Sequence, residues 1–143
     1  MIKIIKIAAI ATHPIRILVL RKGQTLDLCP FDGDDLPTTI HLGLYFNNNL
    51  IGIVSVFKVN NTCFEHNNQF QIRGMAVLDY FQNQGYGKLL IKAAENIIYL
   101  SDNSLIWLNA REVAFLFYEK LGYIKVGEPF LIEGIGTHHL MKK

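Results

Sequence analysis

The spacing of hydrophobic positions changes along this chain, and each change marks an element. The opening MIKIIKIAAIATHPIRILVL is largely apolar, but Lys3, Lys6, His13, Pro14 and Arg16 interrupt it. No uncharged run approaches the ~20 residues that a bilayer span needs, and a first strand followed by a helix accounts for the segment. CPFDGDDLPTT, Cys29 to Thr39, concentrates Asp, Gly and Pro as surface loops do. IHLGLYF and LIGIVSVF are β-rich runs on either side of Asn47, Asn48 and Asn49, residues that tolerate turn geometry, so the pair predicts a β-hairpin.

QFQIRGMAVL, Gln69 to Leu78, begins with strict alternation, Phe70 and Ile72 on one face and Gln71 and Arg73 on the other. The phase slips at Gly74, as a β-bulge would make it, and bulges often lie beside active sites. From Gly85 to Ile98 the period becomes helical: Tyr86, Leu90, Ala93, Ala94 and Ile97 share a face, with Lys88, Lys92 and Glu95 on the polar side. LIWLNA, Leu105 to Ala110, reads as a buried strand. A second helix follows with Ala114, Phe117, Tyr118 and Leu121 at i, i+3, i+4 and i+7, and Gly122 ends it as a left-handed cap would. YIKVG and THHLMKK are the remaining strands. This order predicts an α/β (α+β) domain with a single mixed sheet.

Composition narrows the function classes. At 143 residues the chain can bury roughly 68–70% of its unfolded surface, so a single domain over residues 1–143 is expected. Half of the residues are hydrophobic and 18% are charged, which excludes a disordered tail. The net charge is +2 and the basic residues are scattered along the sequence, which argues against nucleic acid as partner. Cys29 and Cys63 form neither a disulfide framework nor a CxxC metal or redox site. A cytoplasmic location and no metal are expected.

QNQGYG, Gln82 to Gly87, lies between the bulged strand and the amphipathic helix, with Lys88 next. A helix start offers free N–H groups and the positive end of the helix dipole, and glycines let an anion approach them closely, so the position suits a diphosphate. GxxxxGK[ST] and GxGxxG are both absent. The pattern that fits is Q/R-x-x-G-x-G/A, and RGMAVLDYFQNQGYGKLL resembles the acetyl-CoA-binding motif of the GNAT superfamily of N-acetyltransferases.

By that resemblance Gln82, Asn83, Gln84, Gly85, Tyr86, Gly87 and Lys88 form the pyrophosphate cradle, and Met75, Ala76 and Val77 form the edge that binds pantetheine. LNAREVAFLFYEKLGYIKVG, Leu108 to Gly127, also resembles the family, with Asn109 at a strand end and Tyr118 on the helix before Gly122 and Tyr123. The family's fold is a mostly antiparallel sheet flanked by helices. Its chemistry implies acetyl-CoA as cosubstrate, a small-molecule or peptide amine as acceptor, and direct transfer in a ternary complex. A backbone N–H, at Val77 here, would meet the oxyanion, and the Tyr118 phenol would protonate the leaving thiolate. The N-terminal third, which shapes the acceptor site in this family, matches only in outline.

Each of these residues also has a structural explanation. Gly85 and Gly87 would suit a tight turn, Lys88 a helix surface and Tyr118 a core. Asn109, three residues before Glu112, also fits a helix N-cap. His138 and His139 point to opposite faces of a strand, so only one can border an acceptor pocket. Where many relatives carry a general-base Glu, this chain has Gln71, which leaves Glu65, His66, His138 or a water as candidates. A non-catalytic acyl-CoA-binding module and a nucleotide-binding protein are the alternatives, although the chain offers no acidic pair placed for magnesium. Exposed sheet edges are compatible with a homodimer.

Overall fold

Asn47 and Asn48 both adopt positive φ, 48° and 71°, and so close the hairpin between β2 (Ile40–Phe46) and β3 (Asn49–Phe57) in a computed structural model that describes residues 1–143. With β1 (Ile2–Ile7), β4 (Gln69–Val77), β5 (Leu105–Arg111), β6 (Ile124–Lys125), β7 (Phe130–Ile132) and β8 (Gly136–Lys142) they form one sheet in the order β1-β2-β3-β4-β5-β8-β6, with β7 on β8. Only β4 and β5 run parallel. The sheet is therefore mixed and mostly antiparallel, and helices flank it, as expected.

The apolar face of α2 (Tyr86–Ile98) packs on one side of the sheet together with α3 (Phe115–Lys120). Leu44, Ile51, Leu90, Ile91, Ile106 and Met141 are fully buried there. Each such side chain is worth roughly 1.5–3 kcal/mol of burial. The other face carries a smaller cluster, Ile15, Ile53 and Ala76, beneath the helical segment 9–20. That segment runs from a 3₁₀ turn (Ala9–Thr12) through one α turn, α1 (His13–Ile15), into a π turn (Arg16–Leu20), where Arg21 N–H bonds to Arg16 O at 2.9 Å. No helix is long and apolar enough to cross a membrane.

Three local expectations need correction. Residues 29–39 are more than a surface loop, because Cys29 and Asp34 are buried and the Asp34 carboxylate takes both Arg16 Nη1 (2.7 Å) and Arg16 Nη2 (3.0 Å). Glu95 is buried rather than on a polar face: it accepts the Tyr123 hydroxyl at 2.8 Å and Lys143 Nζ at 3.1 Å. Finally, the YIKVG strand shrinks to two residues, and a strand not foreseen, β7, forms a hairpin with β8. Gly122 has φ 98° and ends α3 as predicted.

Burial, the Glu95 hydrogen bond and the Glu95 charge push the Tyr123 phenol far above its ordinary value, and burial alone does the same for Tyr118. Below the unfolded phenol value of about 10 their contribution to stability is complete; as pH rises beyond it, the unfolded chain ionises first and stability falls. Thermal melts from about pH 8 to about pH 11 should show a loss of up to ~1.4 kcal/mol per pH unit for each phenol, shallower in Tyr118→Phe.

Candidate active site

The site begins where two parallel strands part. β4 and β5 are paired only from Gln69–Leu105 to Gln71–Trp107. Past that point β4 bulges: Arg73 pairs with Ser55 and Ala76 with Ile53, so Gly74 and Met75 together oppose Val54. Gly74 has φ 63°, and a Cβ there would lie 3.0 Å from the Phe31 ring, so the position requires glycine on both counts.

A cavity of about 220 Å³ occupies the resulting gap. Ile72, Leu108 and Tyr118 line it from the side of α2 and α3, and Gln71, Arg73, Asn109 and Arg111 from the opposite side. The cavity thus passes between the strands and joins the two faces of the sheet.

Backbone alternation directs the edge of β4. Leu78 N–H bonds to Ile51 O on β3, so Val77 turns the other way, into the gap, where its carbonyl accepts Gln82 Nε2 at 2.9 Å. Gln82 also reaches Asp79 Oδ1 at 3.2 Å, so it holds the loop to the strand rather than lying free. Asn83 (φ 61°) and Gly85 (φ 88°) then reverse the chain into α2. The N–H groups of Gly85, Tyr86, Gly87 and Lys88 find no acceptor in the chain; the first helical bond is Leu89 N–H to Gly85 O. Nothing stands within 4 Å of where a Gly85 Cβ would be, whereas a Gly87 Cβ would meet the Phe117 ring at 3.2 Å. Tyr86 packs against Phe46 and Phe81. Gln84 bonds to Tyr80 O, and Lys88 is exposed. Four unpaired amides beside open space fit a diphosphate.

Asn109 lies inside β5, paired with Leu140, and the helical turn begins only at Glu112. Its N-cap explanation therefore fails, and its amide faces the cavity without a partner in the chain. Tyr118 is buried and lines the cavity; its hydroxyl makes no hydrogen bond within the chain. His138 also lines the cavity. Its Nδ1 lies 2.8 Å from Gly136 O, which can only accept, so Nδ1 donates, and in the neutral form of the ring Nε2 is left bare. His139, on the opposite face, bonds to Glu112 Oε2 at 2.8 Å. Glu65 and His66 lie exposed in the loop before β4 and do not line the cavity, whereas Gln71 does.

An acetyltransferase (GNAT) domain model matches residues 36–143. The chain belongs to the GNAT acetyltransferases. YitI of Bacillus subtilis (strain 168), described as an uncharacterized N-acetyltransferase, is 34% identical over 143 residues, all of this chain and 96% of YitI. ElaA of Escherichia coli shares the fold with a TM-score of 0.78 at 17% identity, over 100% of this chain and 99% of ElaA. An aminoglycoside 6'-N-acetyltransferase solved with coenzyme A superposes with a TM-score of 0.60 at 17% identity, over 76% of this chain and 73% of that one. This acetyltransferase is accordingly an acyltransferase enzyme whose donor is an acyl-CoA.

Arg21, Arg73, Arg111 and Phe31 also line the cavity of this acetyltransferase, and the sequence pattern did not single them out. Their signal was faint: Arg73 and Arg111 each stand two residues beyond a polar cavity residue, Gln71 and Asn109, on the same strand face.

Proposed function

We propose that the chain transfers the acetyl group of acetyl-CoA directly to an amine within a ternary complex, in a single domain working in the cytoplasm. The observation that carries this reading is the through-sheet cavity, which brings Tyr118 from one face and His138 from the other to the edge of β4 at Gly74 and Met75. Gly85 to Lys88 would cradle the pyrophosphate, with Gln82, Asn83 and Gln84 shaping the loop. Met75, Ala76, Val77 and Asn109 would hold the pantetheine arm. The amine nitrogen attacks the thioester carbonyl, the Val77 N–H stabilises the oxyanion, and collapse expels the CoA thiolate towards Tyr118.

No carboxylate stands at position 71, so the attacking nitrogen must lose its proton elsewhere. Bare Nε2 of neutral His138 is the acceptor we assign, directly or through one water. The same geometry without turnover would be an acyl-CoA sensor. The unpaired edge of β1 would suit a homodimer.

Acetyl-CoA should raise the melting temperature, whereas ATP with magnesium should not. Gly85→Val should weaken acetyl-CoA binding about tenfold or more by filling the open space beside the four amides. Calorimetric titration checks this, with a melt to confirm folding. Normal affinity in a folded variant would move the cradle elsewhere.

A further inference from the structure

Three of the basic residues that look scattered along the sequence gather in space. Arg21, Arg73 and Arg111 line the face of the cavity opposite α2 and α3, and no carboxylate lies within 4 Å of any of them. Arg16 differs, because Asp34 neutralises it. Arg21 and Arg111 each donate one hydrogen bond, both to Leu20 O (3.1 and 2.7 Å), and Arg73 donates none. A guanidinium carries five N–H donors, so most of this donor capacity is unspent.

Phe31 organises the cluster: its ring centroid lies 4.5 Å from the Arg73 guanidinium carbon and 5.4 Å from that of Arg21. Cation–π contact only partly offsets three positive charges brought together out of water. Burial and mutual repulsion among Arg111, Arg73 and Arg16 hold Arg21 below its ordinary value, and burial, followed by Arg16, does so for Arg73. The charges of Asp34 and Asp32 partly offset that of Arg73, but Asp34 is held by Arg16, and Asp32 and Glu133, which line a neighbouring hollow, pair with none of the three.

We propose, on the footing of the acetyl-transfer reading above, that the acceptor is a small amine bearing a carboxylate or phosphate, which Arg73 and Arg111 grip while Arg21 closes the rim. The guanidinium fork matches either anion bidentately. A polyamine or a polycationic antibiotic would instead bring positive charge against three arginines that have no ion-pair partner. The cavity also lies below the roughly 300–1,000 Å³ of drug-sized sites, so what enters is small. Leu20, Ile132 and Ile135 leave an apolar wall for the acceptor's carbon skeleton.

The test compares acetyl-CoA turnover within matched pairs: an α-amino acid against its amide, and phosphoethanolamine against ethanolamine, with spermidine beside them. The anionic member of at least one pair should have a kcat/KM about tenfold or more higher, and which pair responds separates carboxylate from phosphate. Arg73→Met and Arg111→Met should erase that preference chiefly through KM, and Arg111→Lys should keep part of it. If no amine in the panel turns over, inorganic phosphate titrated into the CoA-saturated protein should raise the melting temperature of the wild type but not of the double Met variant. Neutral amines or spermidine used as well as the anionic ones, or no phosphate shift in the wild type, would overturn the proposal. Calorimetry with acetyl-CoA keeps the two claims apart, since failure to bind it defeats the acetyl-transfer reading, whereas normal binding with indifference to acceptor charge defeats only this one.

Discussion

Asp34→Asn is expected to cost about 3–5 kcal/mol, because it leaves the Arg16 guanidinium buried without a counter-charge. Arg16 is fully buried and cannot deprotonate, so it cannot escape by changing its charge. Asp34 is also the hub of a local network. Its carboxylate accepts Phe31 N–H, its carbonyl lies 2.9 Å from His41 Nε2, and Arg16 reaches onward to Cys29 O and the Ser55 hydroxyl. Losing the charge therefore unpins residues 29–34 and with them Phe31, the ring against which Arg21 and Arg73 stack. Denaturant unfolding of Asp34→Asn, Arg16→Met and the double variant forms a thermodynamic cycle. The double variant should lose well under the sum of the singles, because it removes both buried charges together. Additive losses would mean that the ion pair contributes little to holding the loop.

The same pair sets an acid limit. Burial alone would raise the Asp34 carboxyl, but the Arg16 hydrogen bonds, the Phe31 N–H and the charges of Arg16 and His41 outweigh it and leave the group below its ordinary value. A depressed carboxyl contributes fully above the unfolded value of about 3.9, and that contribution disappears as pH falls through the lower folded value.

What was legible in the sequence was what local stereochemistry dictates. Asn47 and Asn48 reveal a turn because few residues accept positive φ there, and Gly74 reveals a bulge because the alternation slips at the one residue without a Cβ. The QNQGYG loop is equally plain, since the helix start and its glycines lie together in the chain. What stayed hidden depends on partners distant in sequence. Nothing near Asp34 announces Arg16, 18 residues earlier, so a segment rich in Asp, Gly and Pro looks like a solvated loop. Glu95 falls at a polar helical position and is drawn inward only by Tyr123 and Lys143. Asn109 and Glu112 have capping-box spacing, but β5 runs on through Asn109 to Arg111, and strand pairing overrides the local motif. β7 is three residues long, shorter than any pattern of alternation. Arg21 follows a helical segment, Arg73 and Arg111 belong to two strands, and only the parting of β4 and β5 brings them to one cavity.

Tyr118→Phe tests the proposed chemistry most directly, because it keeps the ring that packs beside Phe117 and Tyr123 and removes only a hydroxyl with no partner in the chain. Burial holds this phenol well above its ordinary value, so it is neutral at any physiological pH. That shift also constrains its role. A reference thiol titrates at about 8.5, so complete transfer of the phenolic proton to the thiolate is uphill in a buried site. The favourable contribution is a hydrogen bond donated into the charge developing on sulfur, and a bond to a charged group is worth roughly 1.5–3 kcal/mol. Turnover should accordingly fall by about 10²-fold while acetyl-CoA affinity and fold stay nearly intact, the pattern of an interaction made mainly in the transition state. A leaving group that needs less help should hide the loss, so a thioester of a more acidic thiol, if the site admits it, should show a smaller ratio of wild type to variant. Rates measured down to about pH 6, with the amine concentration corrected for protonation, guard against a change of rate-limiting step. Wild-type turnover in the Phe variant across that range would return Tyr118 to the core and leave thiolate departure to solvent.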